Sequence, residues 1–223
     1  MKPIILYEDN HIIVCRKLHG IATQSRRPSE PDMVSLLKNH LNDNQSEKGE
    51  PYLAVIHRLD QPVEGILVFA KTPFAAKELN KQLQSGSFGK HYKALLCGTP
   101  PKASGILIDY LVRDGRSNCS RVCLNEPDGK KAVLNYRLLT DFFSMSADIA
   151  AVEILLETGR HHQIRVQMAH LGCPIMGDTK YNTVPYPTGQ RCPLALCAYR
   201  LEFLHPKTKK QMSYKMTPAF YSV

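Results

Sequence analysis

His57-Arg58-Leu59-Asp60-Gln61-Pro62-Val63-Glu64-Gly65-Ile66-Leu67-Val68-Phe69-Ala70 places a charged tetrapeptide and a turn just ahead of an apolar run. Leu53–Ile56 on its N-terminal side and Ile66–Ala70 on the other have the length and apolar character of strands, with proline and glycine punctuating the link between them. A sheet would then present His57, Arg58 and Asp60 on a loop, where side chains that meet ligands are commonly carried. Taken alone, the tetrapeptide reads more readily as a solvated turn than as a site, so its meaning depends on the rest of the chain.

Working outward, Ile4–Tyr7 and Ile12–Arg16 are β-branched runs around Glu8-Asp9-Asn10 and predict a hairpin. Asp32 to Leu41 carries Val34, Leu37 and Leu41 at helical spacing behind Ser29-Glu30-Pro31. The polar stretch Asn42 to Pro51 reads as a surface loop. Thr72-Pro73 opens a second helix as N-cap and first-turn proline, and Gly86 ends it. Lys90 to Cys97 alternates as a strand does. Gly105 to Glu157 holds several strands, with turns at Asp114-Gly115, at Pro127-Asp128-Gly129 and near Ser144. His162 to Leu171 predicts a short helix with Ile164, Met168 and Leu171 on one face and Gly172 as its stop. Leu196–Leu204 and Gln211–Met216 form a last hairpin around Pro206-Lys207-Thr208.

Strands dominate and helices are few, which predicts an α+β fold on a mixed, mostly antiparallel sheet with a few flanking helices. No Gly-x-Gly-x-x-Gly follows a strand and no Gly-Lys-Ser/Thr phosphate loop occurs, which sets nucleotide-cofactor folds aside. With no internal repeat or obvious linker, residues 1–223 are expected to form one domain.

The chain has 29 Lys and Arg against 20 Asp and Glu, a net charge of +9 spread along its length. Such a balance suits a polyanionic partner without requiring one. A mean hydropathy of -0.27 is that of a soluble protein, and the apolar runs are too short to cross a bilayer. The acidic Glu8-Asp9 interrupts the first apolar run, unlike a signal peptide, so a cytoplasmic location is expected. Seven cysteines at irregular spacing, without a Cys-x-x-Cys pair, read as reduced structural thiols rather than as a zinc site.

A second charged cluster, Thr158-Gly159-Arg160-His161-His162-Gln163-Ile164-Arg165, lies at a strand-to-helix junction, where backbone N–H groups attract phosphate. A metal site on His161 and His162 is disfavoured, because neighbouring residues on a helix point about 100° apart.

These two clusters occur in a longer ordered set. His57-Arg58-Leu59-Asp60 with Gly65 resembles the nucleophile motif of RluA-type RNA pseudouridine synthases. Lys90-His91-Tyr92-Lys93-Ala94 looks like that family's Lys-x-Tyr strand. Gly159 to Arg165, followed by Gly172-Cys173-Pro174-Ile175-Met176-Gly177-Asp178-Thr179-Lys180-Tyr181, is similar to its long second motif. Phe203-Leu204-His205-Pro206-Lys207-Thr208 resembles its closing hairpin. Each tetrapeptide is weak; four in register, from about Ile4 nearly to the C-terminus, are strong.

The resemblance implies a catalytic domain with its active-site cleft across the sheet, acting as a monomer on ribosomal or transfer RNA. The implied reaction breaks a uridine's N-glycosidic bond and rejoins the base through carbon, without cofactor or metal. Asp60 takes the place of the nucleophile, Tyr92 that of the tyrosine beneath the base, and Arg165 that of the arginine pairing with the aspartate. Ile164 would lie against the uracil and Arg58 would help hold the flipped nucleotide. His57, Arg160 and His162 are expected on the RNA-binding side of the site. Elementary chemistry agrees: an adjacent guanidinium lowers an Asp pKa by about 1–3, and an aromatic face under a base contributes about 1–3 kcal/mol.

The chain departs from the family at Gln61, usually arginine, and at Val63-Glu64, usually Thr-Ser. Those changes are expected to alter how the loop meets the RNA backbone, and they motivate a second reading, a non-catalytic RNA-binding or RNA-folding factor. Cys197 stands where the family often has histidine, which predicts a packing change. With the first strand at Ile4, the small RNA-binding domain that many relatives carry ahead of the catalytic one is not expected.

Overall fold

The computed structural model describes every residue except 26, 28–29, 44–48, 125–128, 141–147, 184–191 and 222–223. The expected turns at Pro127-Asp128 and Ser144, and the centre of the Asn42–Pro51 loop, lie outside the described residues. In chain order the strands are β1 (Ile4–Glu8), β2 (Ile12–Lys17), β3 (Ala54–Val55), β4 (Glu64–Ala70), β5 (Gly89–Cys97) and β6 (Ser104–Asp114). They continue as β7 (Cys119–Cys123), β8 (Lys130–Leu138), β9 (Ile149–Leu156), β10 (Leu196–Leu204) and β11 (Gln211–Lys215). The helices are α1 (Met33–Asp43), α2 (Pro73–Ser85) and α3 (Gln163–His170), and a 3-10 turn covers Ala219–Tyr221. The fold is α+β, as the pattern of runs predicts. The chain groups into two compact units, Met1–Gly89 with Ala198–Tyr221, and Lys90–Cys197.

In the first unit β2 pairs antiparallel with both β1 and β4, and β10 pairs antiparallel with β11. Ile12, Val14, Ile66, Val68 and Ala70 share a core with Ala75 and Leu79 of α2 and with Leu201 and Phe203 of β10. The alternate residues Ile13, Cys15, Leu67 and Phe69 are also fully buried. Burial on both faces explains why the decisive stretch runs apolar without a break.

Helix α2 is bounded as its sequence predicts. Thr72 Oγ1 accepts the Ala75 N–H at 3.2 Å, Pro73 occupies the first turn, and Gly86 adopts φ 76. Helix α1 starts one residue later than its hydrophobic pattern implies, because Asp32 Oδ1 accepts the Ser35 N–H at 2.7 Å and so acts as the cap. Its buried residues are Met33, Leu37 and Leu41, four apart, in place of the expected Val34.

The two hairpins of this unit are tied through side chains. Asp9 Oδ1 accepts the N–H groups of His11 and Ile12, closing the first turn. His205 Nδ1 accepts the N–H groups of Lys207 and Thr208. The proton of a neutral ring must then sit on Nε2, which donates to Asp9 Oδ2 at 2.8 Å. That is the physical content of the His205-Pro206-Lys207-Thr208 motif.

In the second unit the strand order is β5-β9-β8-β6-β7, with every neighbouring pair antiparallel. Tyr92, Ile154, Tyr136 and Gly105 form one cross-strand row. Isolated parallel bridges join Ala22 to Asp32 in the first unit and Gly98 to Ile149 in the second. Helix α3 differs from expectation. It begins at Gln163, and Gln163 through Met168 are all buried rather than one apolar face. Its polar residues are accommodated because each is paired. Gln163 accepts from the Thr158 hydroxyl and the Arg160 N–H, and Gln167 donates to Asp109.

Gly65, the glycine that closes the decisive loop, has φ +150, and a Cβ there would sit 2.4 Å from Cβ of Ala198. Gly20 also has positive φ (+82) but nothing within 4 Å of an added Cβ. Gly65→Ala is therefore expected to destabilise the fold by at least about 3 kcal/mol, through strain plus overpacking. Gly20→Ala should cost only about 1 kcal/mol, and equal urea midpoints for the two variants would contradict this account.

Candidate active site

Asp60 lies half-buried at the start of a turn closed by the Val63 N–H donating to the Asp60 carbonyl at 2.9 Å. The backbone around it is gripped from three sides. Thr23 Oγ1 accepts the Leu59 N–H at 3.1 Å and donates to the Leu59 carbonyl at 3.0 Å. Gly20 and Gln61 exchange bonds of 3.0 Å, Gly20 N–H to the Gln61 carbonyl and Gln61 Nε2 to the Gly20 carbonyl.

The third grip is Lys17, 0% exposed at the end of β2. Its Nζ donates to the carbonyls of Leu18, Ile21 and Gln61 at 3.2, 2.6 and 3.0 Å. Burial pulls its pKa down to about 8, against the charges of Asp60 and Glu64, which favour the ammonium. Sequence reasoning missed Lys17, because a lysine ending a strand ordinarily reaches solvent.

Two of the three departures after Asp60 prove to be interior. Val63 is buried, and Glu64 is 6% exposed. Glu64 accepts from Arg16 Nη2 at 3.1 Å and from the Ala219 N–H at 2.6 Å. The expectation that Val63 and Glu64 alter how the loop meets RNA is thus corrected: their side chains face the protein, and Glu64 anchors β2 and the C-terminal 3-10 turn. Gln61 likewise holds the neighbouring turn. Of the outward residues, Arg58 is exposed and lines a cavity of about 390 Å³ with Thr23, Gln24, Arg27 and Gln61. His57 is half-buried, its Nε2 facing the Val68 N–H at 3.4 Å and its ring against Phe88 at 5.3 Å.

The second unit carries Tyr92, Arg160, His162, Ile164 and Arg165. Tyr92 and Ile164 are buried. Arg165 donates from Nε and Nη2 to Asp178 at 2.8 and 2.7 Å, with side-chain exposures of 4% and 0%. Burial pushes the Asp178 pKa up, but Arg165 and the N–H groups of Lys180 and Tyr181 outweigh it and hold the carboxyl below its ordinary value. This pairing uses two of the five N–H donors of the guanidinium, whose carbon also sits 5.2 Å from the Tyr181 ring centre.

His162 has φ 52, a left-handed conformation that ends the preceding segment before α3 begins. Its ring stacks on His161 with centroids 3.7 Å apart, so the helical divergence expected of these two residues does not apply. Their Nδ1 atoms serve different partners, Ser120 Oγ for His161 and the Tyr181 hydroxyl for His162. Burial and then the Arg165 charge push the His162 pKa down to about 3. The ring is therefore neutral at physiological pH and offers a phosphate no positive charge. The Tyr181 oxygen also accepts the Ser120 N–H at 2.8 Å, so it joins β7 to His162. Arg160 is exposed, its Nε donating to the Lys131 carbonyl at 2.8 Å.

Among the described residues no group of three His, Cys, Asp or Glu is placed to hold a metal ion. No disulfide joins any of the seven cysteines. No described helix is long and apolar enough to cross a membrane.

An aspartate on a clamped loop of one unit and a buried arginine on a helix of the other, on an α+β frame, suit an RNA-modifying enzyme. The model of the RNA pseudouridylate synthase family matches residues 11–170, and the chain belongs to that family. It is 34% identical over 205 residues to YhcT of Bacillus subtilis, named an uncharacterized RNA pseudouridine synthase, covering 92% of this chain and 65% of that protein. It is 33% identical over 223 residues to the ribosomal large subunit pseudouridine synthase D of Vibrio cholerae, covering 94% and 65%. The chain thus spans about two thirds of the length of such relatives. The solved structure of human RNA pseudouridylate synthase domain containing 4 matches the fold with a TM-score of 0.79 at 23% identity, covering 98% of this chain and 90% of that one.

The unfolded lysine titrates near 10.5 and the folded Lys17 near about 8. The folded state therefore binds fewer protons between those values, so this contribution to stability is complete above pH 10.5 and is lost as the pH falls through about 8. Denaturant titrations of wild type and Lys17→Met should show their difference in unfolding free energy shifting in favour of wild type by roughly 2 kcal/mol from pH 8 to pH 10. A constant difference would mean that the ammonium is not desolvated.

Proposed function

We propose that the chain converts specific uridines of structured RNA into pseudouridine, with Asp60 as the nucleophile. The observation that carries this reading is the family match over residues 11–170, which contains Asp60, Tyr92 and Arg165 in the family's motifs. The N1–C1′ bond breaks and a C5–C1′ bond forms; N1 gains a proton and C5 gives one up. The reaction is an isomerisation, so atoms and electrons balance without a cofactor.

In this scheme the Asp60 carboxylate acts on a uridine that has left its stack, at a cost of a few kcal/mol. Arg165 holds the place of the motif's arginine, and its charge cannot be lost by deprotonation. Tyr92 gives the base an aromatic face and a hydroxyl for proton transfer, and Ile164 packs beside it. Arg58, exposed over its cavity, holds the flipped strand, and Arg160 contributes to the basic surface. His57, packed against Phe88, and His162, stacked on His161, complete the RNA-facing set. We further propose residues 1–223 as one catalytic domain, monomeric and cytoplasmic. The name of the Vibrio cholerae relative favours large-subunit ribosomal RNA over transfer RNA as the substrate.

The non-catalytic alternative loses its motive, since it rested on Val63 and Glu64 facing RNA and both are buried. Pseudouridine mapping of total RNA from cells lacking the gene, complemented with wild type or Asp60→Ala, tests the reading. Wild type should restore one or a few sites, and Asp60→Ala none. Restoration by both would overturn the role of Asp60, and restoration by neither would overturn the activity.

A further inference from the structure

Lys90 begins the second unit, and its side chain is not spent on the structure around it. The residue is only 8% exposed. Among the described residues its ammonium has neither a carboxylate nor a hydrogen-bond acceptor. Buried lysines are normally paired, because an unpaired charge loses hydration without compensation. Lys17 shows the usual solution in this same protein, with three carbonyls around its Nζ.

What Lys90 has nearby is another cation. A Cβ added at Gly159 would lie 3.7 Å from Lys90 Nζ, so the ammonium sits over the backbone that leads into Arg160. Arg160 is itself fixed, its N–H donating to Gln163 Oε1 at 3.0 Å and its Nε to the Lys131 carbonyl at 2.8 Å. The terminal nitrogens of its guanidinium make no hydrogen bond to the described residues. The nearby carboxylate of Glu157 accepts from Asn135 at 2.6 Å. Burial and then the Arg160 charge draw the Lys90 pKa down to about 8, with no carboxylate opposing them.

We propose that Lys90 Nζ and the Arg160 guanidinium form a seat for a phosphodiester group of the substrate RNA. This inference rests on the RNA reading above and extends it to a specific contact. One negative group between the two cations relieves their repulsion and satisfies donors that the protein leaves unmet. The glycine at position 159 keeps the backbone side of the seat clear of a side chain.

The test uses a fluorescein-labelled RNA hairpin with a uridine-rich loop, its binding followed by anisotropy over a salt series. The proteins are wild type, Lys90→Met and Lys90→Arg. Lys90→Met is expected to weaken binding about tenfold and to reduce the slope of log K against log salt by about one, the signature of one lost phosphate contact. Lys90→Arg should keep both the affinity and the slope. Without RNA, the thermal midpoint of Lys90→Met should be no lower than that of wild type, since a buried unpaired charge has been removed.

An unchanged slope, or a lower midpoint for Lys90→Met, would overturn the proposal by making Lys90 a structural residue. Inorganic phosphate should compete with the RNA beyond chloride at equal ionic strength for wild type but not for Lys90→Met, and phosphate binding that leaves RNA affinity untouched would overturn the RNA contact. The readout is separate from catalysis. A Lys90-dependent slope in a protein that makes no pseudouridine would leave the seat standing and remove the enzyme reading; the reverse result would do the opposite.

Discussion

The buried ammonium of Lys17 is the constraint on which the Asp60 loop depends. A lysine taken wholly out of water loses several kcal/mol of hydration unless acceptors replace the solvent. Here the acceptors are the carbonyls of Leu18, Ile21 and Gln61, two from the turn after β2 and one from the turn after Asp60. The charge can be satisfied only if those two turns stay side by side. Thr23 and the Gly20–Gln61 exchange add neutral hydrogen bonds to the same arrangement. The negative charges of Asp60 and Glu64 in turn favour the protonated lysine. Scaffold and proposed nucleophile are therefore electrostatically linked, and neither turn needs reorganisation to present Asp60.

The second unit solves a similar problem with a carboxylate in place of carbonyls. Arg165 is buried on α3, and Asp178 grips it in a forked pair while Tyr181 covers it with a ring. The Tyr181 hydroxyl connects β7 through the Ser120 N–H to His162. Holding His162 neutral avoids a second cation against Arg165, which is why burial and the arginine together push its pKa so low. The contrast with Lys90 is informative, since both sites bury a cation and only one provides an anion for it.

Much of the scaffold was legible. Thr72, Pro73 and Gly86 mark the ends of α2 through local chemistry, and the hairpins around Asp9 and Pro206 follow from short alternating runs and turn residues. The ordered motifs identified the family because position and order survive where any one tetrapeptide is ambiguous. What could not be read depends on contacts distant in sequence. The fate of Glu64 is decided by Arg16 and Ala219, and nothing beside Glu64 in the chain reveals either. Lys17 is hidden for the same reason. Helix α3 misled because Gln163, Arg165 and Gln167 suggest a polar face, whereas each is buried against a partner elsewhere in the second unit. His161 and His162 misled because a left-handed residue cannot be inferred from two histidines in a row.

The central claim is that the Asp60 carboxylate moves the glycosidic bond of a uridine from nitrogen to carbon, a change that expels the hydrogen at C5. Release of tritium from ribosomal RNA labelled at uridine C5 measures that event directly. The account predicts release of about one tritium per modified uridine by the wild-type chain and none above background by Asp60→Asn. Release by Asp60→Asn at the wild-type rate would contradict it.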